Sequence, residues 1–403
     1  MITPPPRPNR PVYLDNQATT RCDPRVVEAM LPWFTEHFGN PHSVEHVMGT
    51  EAEAAVEDAR AQVAALVGAD PKELVFTSGA TESNNIAIKG AARFAGSGGR
   101  RRVVTAATEH KCVLESVADL AAEGFEPVFL PIRADGLLDP EVLRAALEVP
   151  TLLVSIMAVN NETGVIQDIP TLAGIAKQAG ALFHTDIAQA TGKVPVDLSG
   201  WKVDLASISG HKVYGPKGVG ALYVRRRPRV RLSPLFSGGG QERGLRSGTL
   251  PAPLIVGLGQ ACRLAQTEMT AESKRIGELR DRLLRGLQDA IPDLQVNGSL
   301  AARIPGNLNV TFPVVPAAEL MERVPDLCVS TGSACSSAAI EPSYVLRAMG
   351  LSDDAANRTL RIGVGRFTSP ADIDYTVAAL AAAHAGAPAP TLGKQGVEQL
   401  AKA

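Results

Sequence analysis

Six residues, Ser207-Ile208-Ser209-Gly210-His211-Lys212, join an apolar run to a lysine. Residues 203–208 read as a buried strand, Gly210 cuts it, and the lysine follows at once. A lone lysine in such a loop is ordinarily a solvated surface residue. A lysine held at a strand end beside a desolvated pocket can instead be a Schiff-base nucleophile. Asp186 favours that second reading, because it ends another apolar run, Ala181-Leu182-Phe183-His184-Thr185-Asp186. An imine-forming lysine and a buried carboxylate at neighbouring strand ends are the pair that pyridoxal 5'-phosphate requires. The lysine holds the aldehyde, and the carboxylate keeps the pyridine nitrogen protonated so that the ring is an electron sink.

Positioning such groups demands strands that end side by side. Strand patterns at 74–78, 102–106, 128–130, 152–157, 181–185, 203–208 and 219–224 are interleaved with helical patterns at 79–89, 112–123, 139–147 and 170–179. This alternation predicts an α/β fold with a large domain built on a mainly parallel, doubly wound sheet. Ligands gather at the carboxyl ends of the strands in such sheets. Ser78-Gly79-Ala80-Thr81, His110, Asn161, Asp186 and Lys212 all lie just after predicted strands. The turn at Gly79 leads directly into a helix, whose free N–H groups and dipole suit a phosphate. Before the sheet, a short strand at 12–15 precedes a helix opened by Asp23-Pro24 and running to about Phe38, then a second helix over 46–67. Near residue 264 the pattern changes to a long amphipathic helix at 252–290, short strands at 307–312, 326–329 and 360–363, and a last helix at 371–385. The expected organisation is a disordered arm at 1–10 and a large cofactor-binding domain at 20–264. A smaller α+β domain takes 11–19 and 265–386, and a linker and tail follow at 387–403.

Composition excludes several function classes. The chain has 403 residues, a formal net charge of −2 and 45% hydrophobic residues, which disfavours nucleic acid or an anionic membrane as direct partner. No apolar run approaches the ~18 residues of a membrane span. The start of the chain is polar and proline-rich without an apolar segment, so the expected compartment is the cytoplasm. The five cysteines are scattered with no C-x-x-C pair, against a zinc site or a disulfide framework, and no metal is expected.

Cys335 stands apart from the other cysteines. Its neighbours from Ser330 to Ala339 are small, so the segment buries little, and a catalytic role is favoured over a structural one. No Lys, Arg or His is close in sequence, so its pKa should lie near about 8.5 and a base must come from elsewhere. Arg361 sits inside an apolar strand pattern, where a buried guanidinium needs a partner that nothing local offers.

Phe76-Thr77-Ser78-Gly79-Ala80-Thr81-Glu82-Ser83, Thr108-Glu109-His110-Lys111, Val159-Asn160-Asn161-Glu162-Thr163-Gly164, Ser209-Gly210-His211-Lys212 and Arg246-Ser247-Gly248-Thr249-Leu250-Pro251 resemble the cysteine desulfurases of the class V aminotransferase superfamily. Thr331-Gly332-Ser333-Ala334-Cys335-Ser336 with Glu341-Pro342-Ser343-Tyr344 resembles the active-site loop of their housekeeping iron–sulfur-cluster type. The resemblance covers about 13–376 and implies a fold type I pyridoxal-phosphate transferase. It implies conversion of L-cysteine to L-alanine, with a persulfide on Cys335. Sulfur then passes to scaffold and other acceptor proteins, for iron–sulfur cluster assembly and tRNA thiolation.

The resemblance also assigns roles. Lys212 would hold the cofactor and shuttle the Cα proton, Asp186 would pair with the pyridinium nitrogen, and Gln189 would bond the phenolic oxygen. His110 would stack on the ring, move protons and serve as the base for Cys335. Ala80, Thr81, Ser209 and His211 would lie at the phosphate, joined by Thr249 of a partner subunit in a homodimer. Asn161 and Arg361 would hold the substrate carboxylate and its surroundings. The chain departs from the family at Ile187-Ala188 and in a shorter tail at 394–403. A related transaminase or lyase would need no Cys335, and a scaffold with vestigial catalysis would need no intact Lys212, Asp186 and His110. One further stretch, Arg225-Arg226-Arg227-Pro228-Arg229-Val230-Arg231, reads as an exposed basic loop without acidic neighbours, open to an acidic protein partner.

Overall fold

The computed structural model describes residues 11–96, 99–331 and 341–386. The expected arm at 1–10, the loop with Cys335 and the tail at 387–403 therefore lie outside the described residues. The first part of the chain forms β1 (Val12–Tyr13), α1 (Pro24–Met30), α2 (Pro32–Thr35) and α3 (Val47–Val67). Next come β2 (Leu74–Thr77), α4 (Ala80–Ala95), β3 (Arg102–Ala106), α5 (Lys111–Asp119), β4 (Glu126–Leu130), α6 (Pro140–Ala146), β5 (Thr151–Ser155) and α7 (Ile169–Gln178). β6 (Leu182–Asp186), β7 (Leu205–Ser209) and β8 (Gly220–Val224) lead to α8 (Ala252–Ala290). The last part holds β9 (Gln295–Val296), β10 (Asn307–Thr311), α9 (Ala317–Arg323), β11 (Leu327–Cys328), α10 (Tyr344–Ala348), α11 (Asp353–Asn357), β12 (Thr359–Gly363) and α12 (Pro370–His384).

Seven strands form the main sheet in the order β2-β8-β7-β6-β5-β3-β4. Only β8 runs antiparallel to its neighbours, so the expected mainly parallel sheet is present. Successive side chains of a strand face opposite sides. Val104, Val154 and Phe183 accordingly enter one apolar cluster, and Val103, Leu153 and Leu205 enter another across the sheet. A third cluster collects Val12, Leu14, Leu308, Val310, Leu360, Ile362 and Leu380 around the antiparallel sheet β12-β10-β9. α8 serves both regions. Its Ile255, Leu258 and Cys262 pack in the first cluster, while Ile276, Leu279 and Leu283 pack in the third. Each fully buried leucine contributes roughly 1.5–3 kcal/mol.

The helix expected over 23–38 is two helices. Pro32 has no N–H to continue the ladder and opens α2 instead, at the point where Leu31 caps α1. β1 does not join the main sheet. It pairs in parallel with β11, Val12 opposite Leu327 and Tyr13 opposite Cys328, which brings the first described residues beside the segment leading to the cysteine loop. Among the described residues no helix is long and apolar enough to cross a membrane.

Candidate active site

Asp186 ends β6, and its register partner in β7 is Ser207, so Lys212 emerges from the next strand end over. A short 3-10 turn, Gly210–Lys212, carries the lysine out of β7. Its Nζ donates to the carbonyl oxygens of Gln17 and Ala18, each at 2.6 Å. Asp186 is 6% exposed and doubly fixed: Asn84 Nδ2 donates to one carboxylate oxygen at 2.8 Å and the Ala188 N–H to the other at 2.9 Å. A cleft of about 410 Å3 opens between these residues, within the roughly 300–1,000 Å3 common for small-molecule sites. It sits at the carboxyl ends of the parallel strands, where the sheet topology predicts it. Ala80, Thr81, His110, Asn161, Asp186, Gln189, Ser209, His211, Lys212 and Arg361 all line it. Thr249 is exposed and lies outside the cleft of its own chain.

The histidines are held in defined proton states. His110 caps α5, its Nδ1 accepting the Cys112 N–H at 3.2 Å, so the neutral ring carries its hydrogen on Nε2. Burial pulls its pKa down, with Asp186 opposing and Lys212 adding to the fall, which keeps the imidazole neutral at neutral pH. In this tautomer Nε2 carries the ring's hydrogen-bond donor, and Nδ1 is held by the Cys112 N–H. His211 Nδ1 is 3.0 Å from Thr19 Oγ1, and burial with Lys212 and Lys217 lowers its pKa to about 4. Cys112 Sγ, 3.0 Å from His110 Nδ1, is a thiol lining the cleft. Burial raises its pKa to about 12, so it stays protonated and is no rival nucleophile.

α4 begins at Gly79 with no side-chain cap. Its first residues, Ala80 and Thr81, line the same cleft as Ser209, an arrangement suited to a phosphate. Gly79 has φ 146°, where a side chain would be strained.

Several functional residues escape sequence reasoning. The partner of Arg361 is Asp15, 346 residues away, whose Oδ1 accepts from Nη2 at 2.7 Å; Nη1 donates to the Asn161 carbonyl at 3.0 Å. Ser330 Oγ donates to the same Asp15 oxygen at 3.1 Å. Gln17, Ala18 and Asn84 likewise act across long sequence separations. The available signal was the polar run Asn16-Gln17-Ala18-Thr19-Thr20 directly after a strand. Two polar atoms at the cleft, Asn161 Oδ1 and Arg361 Nε, are buried without a hydrogen-bond partner among the described residues. An acceptor and a donor that both lack a partner at one cleft fit a ligand with carboxylate and hydroxyl or amine groups.

The basic loop needs correction in two respects. Arg225 is buried, with Nη1 3.4 Å from Asp204, because it still continues β8. An acidic neighbour also exists, since Glu73 accepts the Arg226 backbone N–H at 2.9 Å. Arg226, Arg227, Arg229 and Arg231 remain exposed. A groove of about 650 Å3 runs past Arg226, Arg229 and Arg231.

Comparison with known proteins agrees with this geometry. The model of the family "Aminotransferase class-V" matches residues 12–376. A mitochondrial cysteine desulfurase of Arthroderma benhamiae is 56% identical over 373 residues, 92% of this chain and 74% of its own length. The cysteine desulfurase IscS of Rickettsia felis is 53% identical over 370 residues, covering 92% of this chain and 90% of the other. A solved NifS-like protein superposes with a TM-score of 0.86 at 38% identity, over 92% of this chain and 98% of that one. The chain belongs to the cysteine desulfurases of the class-V aminotransferase family.

Proposed function

We propose that this enzyme removes sulfur from L-cysteine at the cleft below Lys212, leaves L-alanine, and stores the sulfur as a persulfide on Cys335 for acceptor proteins of iron–sulfur cluster assembly. The observation that carries the reading is the placement of Asp186 and Lys212 at adjacent strand ends in one cleft. The donor set fits pyridoxal 5'-phosphate. Asp186 would face the pyridine nitrogen, Gln189 the phenolic oxygen, and Ala80, Thr81, Ser209 and His211 the phosphate, with Lys212 holding the aldehyde carbon. When bound, the cofactor supplies a sink for the electron pair left on the substrate Cα.

The chain's own residues do the rest. Arg361, held by Asp15 through Nη2 and by the Asn161 carbonyl through Nη1, would meet the substrate carboxylate with its remaining N–H groups, Nε among them, with Asn161 beside it. Lys212 Nζ takes the Cα proton. His110 donates a hydrogen bond through Nε2 and would relay protons between substrate and product. The Cys335 thiolate forms a bond to the substrate sulfur while the sulfur–Cβ bond breaks, and the carbon is protonated to give alanine.

The division into a large unit at 20–264 and a small one at 11–19 and 265–386 belongs to the same reading, supported by separate apolar clusters that share α8. So does a homodimer in which the exposed Thr249 reaches the other subunit's phosphate. tRNA thiolation is a further outlet for the sulfur. The compartment is read as cytoplasm: the four described cysteines are free thiols, which suits reducing surroundings. Among the relatives, one is named as mitochondrial and one is bacterial.

The test is alanine release from cysteine. Cys335→Ala keeps the visible absorption of the bound cofactor and makes almost no alanine, whereas Lys212→Ala loses both. Normal alanine yield from Cys335→Ala would transfer the reading to a lyase.

A further inference from the structure

Gln189 is the residue assigned above to the phenolic oxygen of the cofactor. An amide can turn either end toward a ligand, and its two ends have opposite effects: the N–H stabilises an anionic oxygen and the carbonyl repels it. Something must therefore choose the end. In the turns that follow β6, Lys193 lies four residues after Gln189. The Ala190 carbonyl accepts the Lys193 N–H at 3.0 Å, and the Ala190 N–H donates to Ile187 at 3.0 Å, which fixes that turn. Lys193 Nζ donates to Gln189 Oε1 at 2.7 Å. Gln189 Nε2 donates to the Gln17 carbonyl at 2.8 Å.

These partners leave no freedom of assignment. An amine facing the amide demands the oxygen, and a backbone carbonyl demands the nitrogen. One N–H of Nε2 goes to Gln17, and the second remains for the cleft that Gln189 lines. Lys193 is itself anchored, since its carbonyl accepts from Ser273 Oγ of α8 at 3.0 Å. Glu272, the carboxylate at the same small cavity, is taken up by Arg366 at 2.7 Å.

We infer that Lys193 is a positioning residue that locks the Gln189 amide with its N–H toward the cofactor's phenolic oxygen. The inference rests on the cofactor reading above. Burial, with Lys212 and Arg361 nearby, lowers the Lys193 pKa to about 7. A neutral amine still donates, so the lock holds on both sides of that titration. An N–H on the phenolic oxygen weakens the site's hold on the cofactor's exchangeable proton, and losing it strengthens that hold.

The experiment is a pH titration of the visible absorption band of the purified holoenzyme, over roughly pH 6 to 10, with cofactor content and circular dichroism checked for each variant. Lys193→Met raises the midpoint by about one pH unit, the scale of one lost hydrogen-bond donor. Gln189→Leu raises it similarly, and Lys193→Met adds nothing in the Gln189→Leu background. Lys193→Arg, which keeps a donor at Oε1, restores the wild-type midpoint. An unchanged midpoint in Lys193→Met, a shift that adds in full to that of Gln189→Leu, or a failure of Lys193→Arg to restore it overturns the inference. An unchanged midpoint in Gln189→Leu removes Gln189 from the phenolic oxygen, and a wild-type protein with no visible band removes the cofactor; these two results defeat the underlying reading instead.

Discussion

Replacing Arg361 by lysine puts the carboxylate assignment to its most demanding trial. The guanidinium is 1% exposed. It spends Nη2 on Asp15 at 2.7 Å and Nη1 on the Asn161 carbonyl at 3.0 Å, while Nε is buried with no partner among the described residues. Both terminal nitrogens thus hold protein groups, and Nε is the nitrogen left without a partner for a substrate oxygen. A lysine brings one ammonium, which cannot serve both Asp15 and a carboxylate in those directions. A hydrogen bond to a charged group is worth about 1.5–3 kcal/mol, which corresponds to a loss of about 10- to 150-fold in kcat/KM. The carboxylate takes no part in bond breaking, so its contact contributes equally in ground and transition states. The loss should therefore appear in KM, with kcat within about threefold of wild type. The assay is product formation against cysteine concentration, in parallel with cysteamine, which lacks the carboxylate. Wild type should handle cysteamine poorly, and Arg361→Lys should make it no worse. A KM for cysteine within about twofold of wild type, or an equal loss with cysteamine, refutes the argument.

Three further outcomes are expected. Asp186→Asn should retain the fold and lower turnover by several orders of magnitude, because a neutral pyridine is a poorer electron sink; near-normal rates would remove Asp186 from the chemistry. His184 is fully buried between Ser155 Oγ at 2.8 Å and Ser207 Oγ at 3.0 Å, and burial lowers its pKa to about 3. Its folded value lies below its unfolded value, so the unfolded chain binds the extra proton between them. Stability is full above about pH 6.5 and falls by about 1.4 kcal/mol per pH unit on acidification toward about pH 3; denaturant midpoints should flatten over that limb in His184→Asn. Reversing Arg226, Arg229 and Arg231 to Glu should weaken binding to acidic assembly partners, with a smaller effect as salt rises and with unchanged alanine production. Calorimetry that finds every candidate partner still bound would return the loop to a solvated surface.

Much of the architecture is visible in the residues because it rests on local periodicity. The long amphipathic pattern of α8 begins and ends where the helix does, at Ala252 and Ala290. Asp186 and Lys212 were readable because each closes an apolar run, and a parallel sheet aligns such endings without further information. Short elements carry too few residues to display a period: β9 has two, α10 and α11 have five each. Pro32 ended a helix and began another within a pattern that looked continuous. The pairing of Arg361 with Asp15 is invisible for a different reason. It depends on β1 lying beside β11 and on Gly363 donating its N–H to the Leu14 carbonyl at 2.6 Å, which are tertiary facts with no local trace.

Those contacts of the chain's beginning with its end set an order of manufacture. The segment from Leu14 to Thr20 is made before the residues that it holds, Lys212, Gln189, His211 and Arg361. Asn16 in turn donates to the Gly363 carbonyl at 2.7 Å, so the clasp shuts only after β12 exists. Domains generally fold as they leave the ribosome, N-terminal part first. Here residues 14–20 must wait for β12 before their last partners exist. A nascent chain arrested before β12 already possesses Asp186 and Lys212 but lacks Arg361 and the strand that retains Asn16. The nascent enzyme therefore stays without its finished carboxylate site until β12 has been made.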